Sequence, residues 1–155
     1  RVGGFDLPKT MVDGWKRTVS RGIHANLTWI MSWPGASISD EKASVTFQQM
    51  QKEIVGEHAT NSALFVAQAY PGVHMFTIPR VQQRLSDGFG LAFDRYGQPI
   101  VDDALQDYVL GLDDAVRHLI DKHGRPVFFG DTTEDQFLKM RELVAAGRTE
   151  EILNL

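Results

Sequence analysis

The chain has 155 residues, no cysteine, and a formal net charge of −4 from 16 basic and 20 acidic side chains. This length suits a single domain, and a hydrophobic content of 43% is enough to form a core. The lack of cysteine excludes disulfide bonds, thiolate metal sites and a cysteine nucleophile. The acidic balance argues against nucleic-acid binding, and no apolar run is long enough to cross a membrane. We therefore expect a cytoplasmic protein with neither nucleic-acid nor membrane partners.

The first third of the chain contains one lead-in, one strand and one helix. Residues 1–22 are predicted to be an N-terminal extension that is weakly helical from Thr10 to Arg21. Alternating apolar and polar residues predict a strand from His24 to Trp33. Ser37-x-x-Asp40 resembles a capping box and opens a helix. The apolar stripe of that helix is predicted to consist of Ala43, Phe47, Met50 and Ile54.

The middle of the chain is predicted to be less regular. A second helical run is expected from His58 to Ala69, because apolar residues recur there at helical spacing. A short strand follows from Val73 to Ile78. Several turn signals between residues 81 and 103 then predict a long loop, of a kind that often covers a binding site.

The last third is predicted to contain two strands and two helices. Leu105 to Leu110 is assigned as a strand, and Gly111 opens a helix that Gly124 ends. Arg125 to Phe129 is assigned as another strand. Thr133-x-x-Gln136 is a capping box for the final long helix, which a turn at residues 149–153 follows.

This order of elements contains two βαβ units, which predicts an α+β fold of the ferredoxin-like split β-α-β type. Such a plait has an antiparallel sheet with helices on one face, so the other face needs cover. Two copies that place their open faces together would supply that cover. We therefore expect a homodimer.

Specific segments resemble the EthD-like group of the dimeric α+β barrel superfamily. They are the strand and turn of residues 27–35, Gly56-Glu57-His58-Ala59, Pro71-Gly72-Val73-His74, residues 108–115 and Asp135-Gln136-Phe137. The resemblance implies a barrel domain over residues 23–137, between the extension and a C-terminal helical tail at 138–155. It also implies one apolar pocket per subunit. Relatives of this architecture oxidise, cyclise or isomerise aromatic and polyketide-like molecules, often with no cofactor.

Two histidines and two tyrosines are candidates for catalysis. His58 is a candidate general acid or base, because imidazole titrates near neutral pH. His74 is expected to share a strand face with Phe76 and so to point into an apolar pocket. Tyr70 and Tyr108 could polarise a substrate carbonyl beside an imidazole. Each residue also has a structural interpretation, as a packed or solvated side chain.

Five aromatic residues could line the pocket for a hydrophobic molecule, or could simply form the core: Trp29, Trp33, Phe65, Phe76 and Phe89. No histidine and carboxylate spacing is typical of a zinc or iron site, and no dinucleotide or phosphate-binding loop is present. We therefore expect neither a metal nor a cofactor.

Three main functional hypotheses and one weaker alternative follow from these observations. The first is a cofactor-independent oxygenase, cyclase or isomerase that acts on an aromatic or polyketide-like molecule. The second is a non-catalytic ligand-binding or assembly module of the same fold. The third is a haem-binding redox protein with His58, His74 or His118 as the axial ligand. A fragment of a DNA-transfer protein of relaxase type is the weaker alternative, which the net negative charge disfavours.

Overall fold

The computed structural model describes residues 7–112 and 120–155. Over these ranges the protein is an α+β fold that consists mostly of helix. The elements in chain order are α1 (Leu7–Val19), β1 (Ala25–Met31), α2 (Ile38–Val55), a 3-10 turn at Gly56–His58, β2 (Ala59–Val66), a 3-10 turn at His74–Thr77, α3 (Pro79–Phe89), α4 (Asp103–Leu112), α5 (Glu134–Ala145) and a 3-10 turn at Thr149–Asn154.

The sheet is a β1-α2-β2 unit in which the two strands pair directly and in parallel. The register runs from Ala25 opposite Ala59 to Met31 opposite Val66, with one irregularity after Ala25. The prediction of β1 is confirmed. The helical run predicted from His58 to Ala69 is wrong, because that segment is mostly β2. Its helical spacing was accidental, and pairing with β1, more than thirty residues earlier, determines its conformation.

Helix α2 begins at the predicted capping box. The Ser37 N–H donates to Oδ2 of Asp40 at 2.8 Å, and the Ser37 side chain accepts from the Asp40 N–H. The predicted apolar stripe is only partly buried, since Ala43 and Met50 are exposed whereas Phe47 and Ile54 are half-buried. Phe47 packs its ring against Trp15 of α1 at a centroid distance of 5.3 Å. The buried face is partly polar and consists of Glu41, Val45, Gln48, Gln51 and Val55.

Two further predictions of secondary structure are wrong. In both segments the buried side chains recur at helical spacing, and the structure has a helix there. The predicted loop at residues 81–103 begins with α3, which buries Val81 and Leu85 four residues apart. The strand predicted from Leu105 to Leu110 is α4, which buries Leu105, Tyr108 and Leu112. Positions three, four and seven residues apart share one helix face, whereas a strand would bury every second residue.

The remaining short strands are also absent from the described residues. Val73 to Ile78 contains the 3-10 turn, so His74 lies at a turn and not in a strand. Arg125 to Phe129 forms no strand, and an isolated bridge joins Ile120 to Pro126. Most of the helix predicted to begin at Gly111, with His118, lies outside the described residues. The described sheet thus has two parallel strands in place of the four antiparallel strands of a ferredoxin-like plait.

Two hydrophobic clusters hold the described elements together. The first joins α3 and α4 to the segments at 67–76 and 127–129, with Phe76 and Tyr108 at its centre. The second consists of Met31, Val45, Met140, Leu143 and Ile152. The domain boundary predicted after Phe137 falls within α5, and residues beyond it pack against β1 and α2. Within the described ranges, no helix is both long and apolar enough to span a membrane.

Candidate functional site

Ser32, which directly follows β1, has a backbone conformation that glycine usually adopts. Its φ is +58°, and it is the one non-glycine residue with positive φ in the described part of the chain. Ser32 is fully buried, and its N–H donates to Oε1 of Glu41 at 2.6 Å. A residue held in this region costs about 1–3 kcal/mol, and such residues cluster at functional sites. The strain therefore marks the carboxyl end of β1 as a candidate site.

Glu41 places a buried carboxyl group beside this strained residue. It lies in the first turn of α2 and is buried. Burial raises the pKa of Glu41, the N–H of Ser32 acts to lower it, and the charge of Asp40 adds to the rise. No described basic side chain forms an ion pair with Glu41 to oppose this effect. Glu41 thus keeps its proton to a higher pH than an exposed glutamate does.

A tight turn after Ser32 presents the indole of Trp33 at the surface. The N–H of Ala36 donates to the carbonyl of Trp33 at 2.8 Å, and Gly35 has a φ of +94°. Pro34 and Gly35 thus occupy the positions they prefer in a type II turn. A side chain at Gly35 would also collide with a guanidinium, because its Cβ would lie 2.9 Å from Nη2 of Arg80. Trp33 is 52% exposed.

Residues 130–131, which precede α5, pack against this turn. A Cβ at Gly130 would lie 3.2 Å from Cα of Ser32 and 3.0 Å from the carbonyl oxygen of Ala36. The N–H of Asp131 donates to that same carbonyl at 2.7 Å. The Asp131 carboxylate also accepts from Nη1 of Arg80 at 2.6 Å. Backbone contact and an ion pair together hold residues 130–131 against the turn.

Two buried hydroxyl groups on these adjoining segments have no hydrogen-bond partner. They are Oγ of Ser32 and Oγ1 of Thr132. A buried polar group left unpaired costs about 1–3 kcal/mol, so most such groups in proteins are satisfied. These hydroxyls therefore keep free hydrogen-bonding capacity, although both oxygens are closed to solvent in this conformation.

We call this group of residues the carboxyl-edge site; it consists of Ser32, Trp33, Gly35, Glu41, Arg80, Asp131 and Thr132. It lies where a parallel strand ends, which is where ligands bind in open α/β sheets. Acidic residues occupy the first turns of both α2 and α5, and Asp131 already pairs with Arg80. The local charge therefore favours a neutral or cationic ligand over an anionic one.

The structure places the two predicted catalytic histidines in different surroundings. His58 ends the 3-10 turn before β2, and its ring lies 5.4 Å from that of His24. His74 is exposed, and its Nδ1 lies 3.1 Å from Oγ1 of Thr77. In the described part of the chain, no contact joins either histidine to Tyr70 or Tyr108.

The hydroxyls of the two predicted catalytic tyrosines each donate a hydrogen bond within the chain. Tyr70 is exposed and donates to Oε1 of Gln68 at 2.7 Å. Tyr108 is buried and donates to the carbonyl of Ala69 at 2.6 Å. Burial raises the pKa of Tyr108, and Tyr70 adds to the rise, so the phenol stays protonated. Its hydroxyl satisfies a buried carbonyl within the first hydrophobic cluster.

The five residues of the predicted aromatic lining lie in four different places. Phe76 and Phe89 both pack against Tyr108, with ring centroids 6.2 and 5.0 Å away, in the first hydrophobic cluster. Trp29 is half-buried and donates from Nε1 to Oε1 of Gln51 at 3.3 Å. Phe65 is exposed on the sheet. Trp33 is the one of the five that belongs to the carboxyl-edge site.

Reasoning from the sequence missed five members of that site: Ser32, Glu41, Arg80, Asp131 and Thr132. The Trp33-Pro34-Gly35 signal located the turn correctly. Glu41 could have drawn attention, because it shares a helix face with Val45 and Gln48. Nothing local indicates that Arg80 and Thr132 lie beside it, since tertiary contacts bring them there.

No family model matches the chain, and neither a curated protein nor a solved structure matches it. The described residues contain no group of three or more histidine, aspartate or glutamate side chains arranged to hold a metal ion.

Proposed function

We propose that the chain binds a small neutral molecule with an aromatic ring and carbonyl or phenolic oxygens at the carboxyl-edge site. The observation that carries this proposal is the pair of unpartnered buried hydroxyls on Ser32 and Thr132, of which Ser32 also bonds through its N–H to the buried carboxyl group of Glu41. Such groups supply directional hydrogen bonds in a place shielded from water. The ligand class is the one that the sequence predicts, whereas the residues that hold it are different.

Each part of the site has a defined role in this proposal. Trp33 offers a half-exposed indole face on which a planar ring can stack. The hydroxyls of Ser32 and Thr132 bond to ligand oxygens. Arg80 and Asp131 neutralise each other at the rim, which limits attraction for a charged ligand.

Titration with matched naphthalene derivatives tests the proposal. We expect 2-naphthol to bind in isothermal titration calorimetry and 2-naphthoate, its anionic counterpart, to bind more weakly. Trp33→Ala should weaken 2-naphthol binding at least about tenfold, because an aromatic partner is worth about 1.4 kcal/mol. Phe65→Ala is the matched control, since Phe65 is 54% exposed and lies outside the site.

Two outcomes would contradict the proposal. One is that neither naphthalene derivative binds saturably. The other is that Phe65→Ala weakens binding as much as Trp33→Ala does. Thr132→Val serves as a second probe, because it removes one hydroxyl while it keeps the shape of the side chain.

Acid–base catalysis at the same site is a second candidate function, favoured by the raised pKa of Glu41. An isomerase that moves a proton within its substrate, without a cofactor, fits one carboxyl group and two hydroxyls. Glu41→Gln would then abolish turnover of a substrate and leave its binding intact.

The roles predicted for His58, His74, Tyr70 and Tyr108 stay predictions. Loss of turnover in His58→Ala or His74→Ala, with Glu41→Gln fully active, would favour them over Glu41.

Two other expectations remain proposals. Haem binding is tested by an absorption spectrum of the protein with added haem, where the absence of a Soret shift would exclude it. Of the predicted homodimeric α+β barrel, the dimer finds support in the outer face of the sheet, where Ile30 lies opposite Phe65 and both are about half exposed. Parallel sheets are usually covered on both faces. Light scattering would show about twice the 17.4 kDa of one chain for a dimer.

A further inference from the structure

We infer that the His24 and His58 side chains together bind a divalent transition-metal ion of the Cu²⁺, Ni²⁺ and Zn²⁺ class. The pair lies at the opposite end of the strands from the carboxyl-edge site. The inference therefore stands independently of the proposed function. Three observations carry it: the position of the pair, the separation of the rings and an unpartnered nitrogen.

The first observation is the position of the two histidines at the amino ends of paired strands. His24 directly precedes Ala25, the first residue of β1, and His58 directly precedes Ala59, the first residue of β2. Ala25 and Ala59 are register partners in the parallel sheet. The sheet itself therefore brings the two imidazoles together and fixes their backbones.

The second observation is the separation of the two rings. Their centroids are 5.4 Å apart, and their planes are tilted by 58°. Metal–nitrogen bonds of about 2.1 Å place each ring centroid about 3.2 Å from a shared ion, and a tetrahedral angle then separates the centroids by about 5.2 Å. The observed spacing of the ring centroids therefore matches that of two imidazole ligands on one ion.

The third observation is a ring nitrogen of His58 that has no hydrogen-bond partner. Its Nδ1 is buried and has no hydrogen-bond partner, although a buried ring nitrogen is normally satisfied. His24 is exposed and can turn about its side-chain bonds to share an ion with that nitrogen. Water would complete the coordination, because the described residues provide no third ligand at this place.

Imidazole nitrogen selects the class of ion. Two nitrogen donors favour Cu²⁺, followed by Ni²⁺ and Zn²⁺, over Mg²⁺ and Ca²⁺, which prefer oxygen. An ion bound here ties together the amino ends of β1 and β2. A two-stranded sheet is marginal by itself, so the ion should stabilise the folded chain by mass action.

The experiment is titration of the tag-free full chain with CuCl₂, NiCl₂ and ZnCl₂, with MgCl₂ as the negative control. We expect one ion per chain by isothermal titration calorimetry and a rise in Tm of about 3 °C or more at saturating Zn²⁺. His24→Ala and His58→Ala should each lose at least about tenfold in affinity, since even a group that only supports a metal ligand is worth that much. Zn²⁺ should also shift the imidazole ¹H–¹³C NMR signals of both rings.

His123→Ala is the matched control, because His123 is exposed in the turn that follows Asp121 and lies apart from the pair. This variant should bind as the unaltered chain does. Equal affinity in His24→Ala, His58→Ala and the unaltered chain would overturn the inference. So would a loss in His123→Ala as large as in His58→Ala, or the absence of saturable binding of any of the three ions.

Discussion

Ser32 keeps its left-handed backbone because a buried carboxyl group accepts its N–H. Without that acceptor, the amide of a fully buried residue would lose its partner, since Glu41 provides the hydrogen bond at 2.6 Å. Burial at the same time disfavours the ionised form of Glu41 and raises its pKa. One residue thus serves as a hydrogen-bond acceptor and as a titratable group that no basic side chain among the described residues neutralises.

Substitutions of Glu41 should separate its role as a hydrogen-bond acceptor from its titration, because only the titration makes stability depend on pH. Because the pKa of Glu41 is raised on folding, the native state retains a proton that the unfolded state has lost. The free energy of unfolding therefore falls as pH rises from about 4.3, the ordinary glutamate value, through the raised value. Glu41→Gln keeps an acceptor oxygen and should not show this fall. We expect Glu41→Gln to be more stable than the unaltered chain at pH 8 and nearly equal to it at pH 4, by urea denaturation.

Glu41→Ala provides the contrast. It removes the acceptor and should lower the free energy of unfolding by about 1–3 kcal/mol relative to Glu41→Gln at both pH values, because neither variant titrates at this position. Equal pH profiles for the unaltered chain and Glu41→Gln would show that Glu41 does not titrate as described.

At the scale of elements, Asp121 links the turn at 121–125 to α3. Its buried carboxylate accepts from the N–H groups of His123 and Arg125 and from Nε of Arg125, and Arg84 of α3 lies 3.7 Å away. Burial acts to raise the pKa of Asp121, but these hydrogen bonds and the Arg125 charge outweigh it, so the pKa is lowered. Gly88 of α3 leaves room for this contact, because a Cβ there would lie 3.0 Å from Cβ of Asp121.

Asp121→Asn should therefore loosen the contact between these two elements. We expect a loss of about 3 kcal/mol at pH 7, because the variant leaves buried donors and guanidinium groups without their charged partner. The lowered pKa means that the unaltered chain gains this stability above the ordinary aspartate value of about 3.9 and loses it as pH falls through the lower folded value. The gap between the two proteins should narrow in acid.

Urea denaturation from pH 2.5 to 7 measures both curves. Asp87→Asn is the control, because Asp87 is exposed on α3 and its side chain accepts from Gln83 alone among the described bonds. A change of about 0.5 kcal/mol or less is expected there. A constant gap at every pH would contradict the role assigned to Asp121.

At the scale of the whole molecule, the C-terminal part of the chain belongs to the same core as the sheet. Met140 and Leu143 of α5, and Ile152 after it, pack with Met31 and Val45 of the βαβ unit. The buried face of α2 is partly polar. These apolar residues therefore provide hydrophobic packing that α2 alone does not provide. The helical segment predicted as a tail is therefore a structural component of the βαβ unit.

Met140→Ala tests this arrangement. We expect a loss of about 2–5 kcal/mol, as for other buried large-to-small substitutions, because Met140 is fully buried. Leu138→Ala, on the exposed side of the same helix, should cost less than about 1 kcal/mol. Similar losses in the two variants, by urea denaturation, would show that α5 does not pack as described.

Local chemistry allowed the α+β class and several single elements to be predicted from the sequence. The capping boxes at Ser37 and Thr133 both form, and β1 and the terminal turn lie where the sequence places them. These features depend on neighbouring residues, so the sequence alone is sufficient to specify them. The segments at 59–66, 79–89 and 103–112 were misassigned, because pairing with a distant strand or burial in a distant core decides their conformation.

The candidate site illustrates the same division. The sequence by itself determined the Trp33-Pro34-Gly35 turn, because proline and glycine restrict the backbone to few conformations there. Only the tertiary structure decided which groups surround that turn. Arg80 and Thr132 come from segments about 45 and 100 residues away in the chain, and no local rule relates them to Ser32. Burial raises the pKa of Glu41 and leaves two hydroxyls unpaired, and burial is a property of the folded chain as a whole.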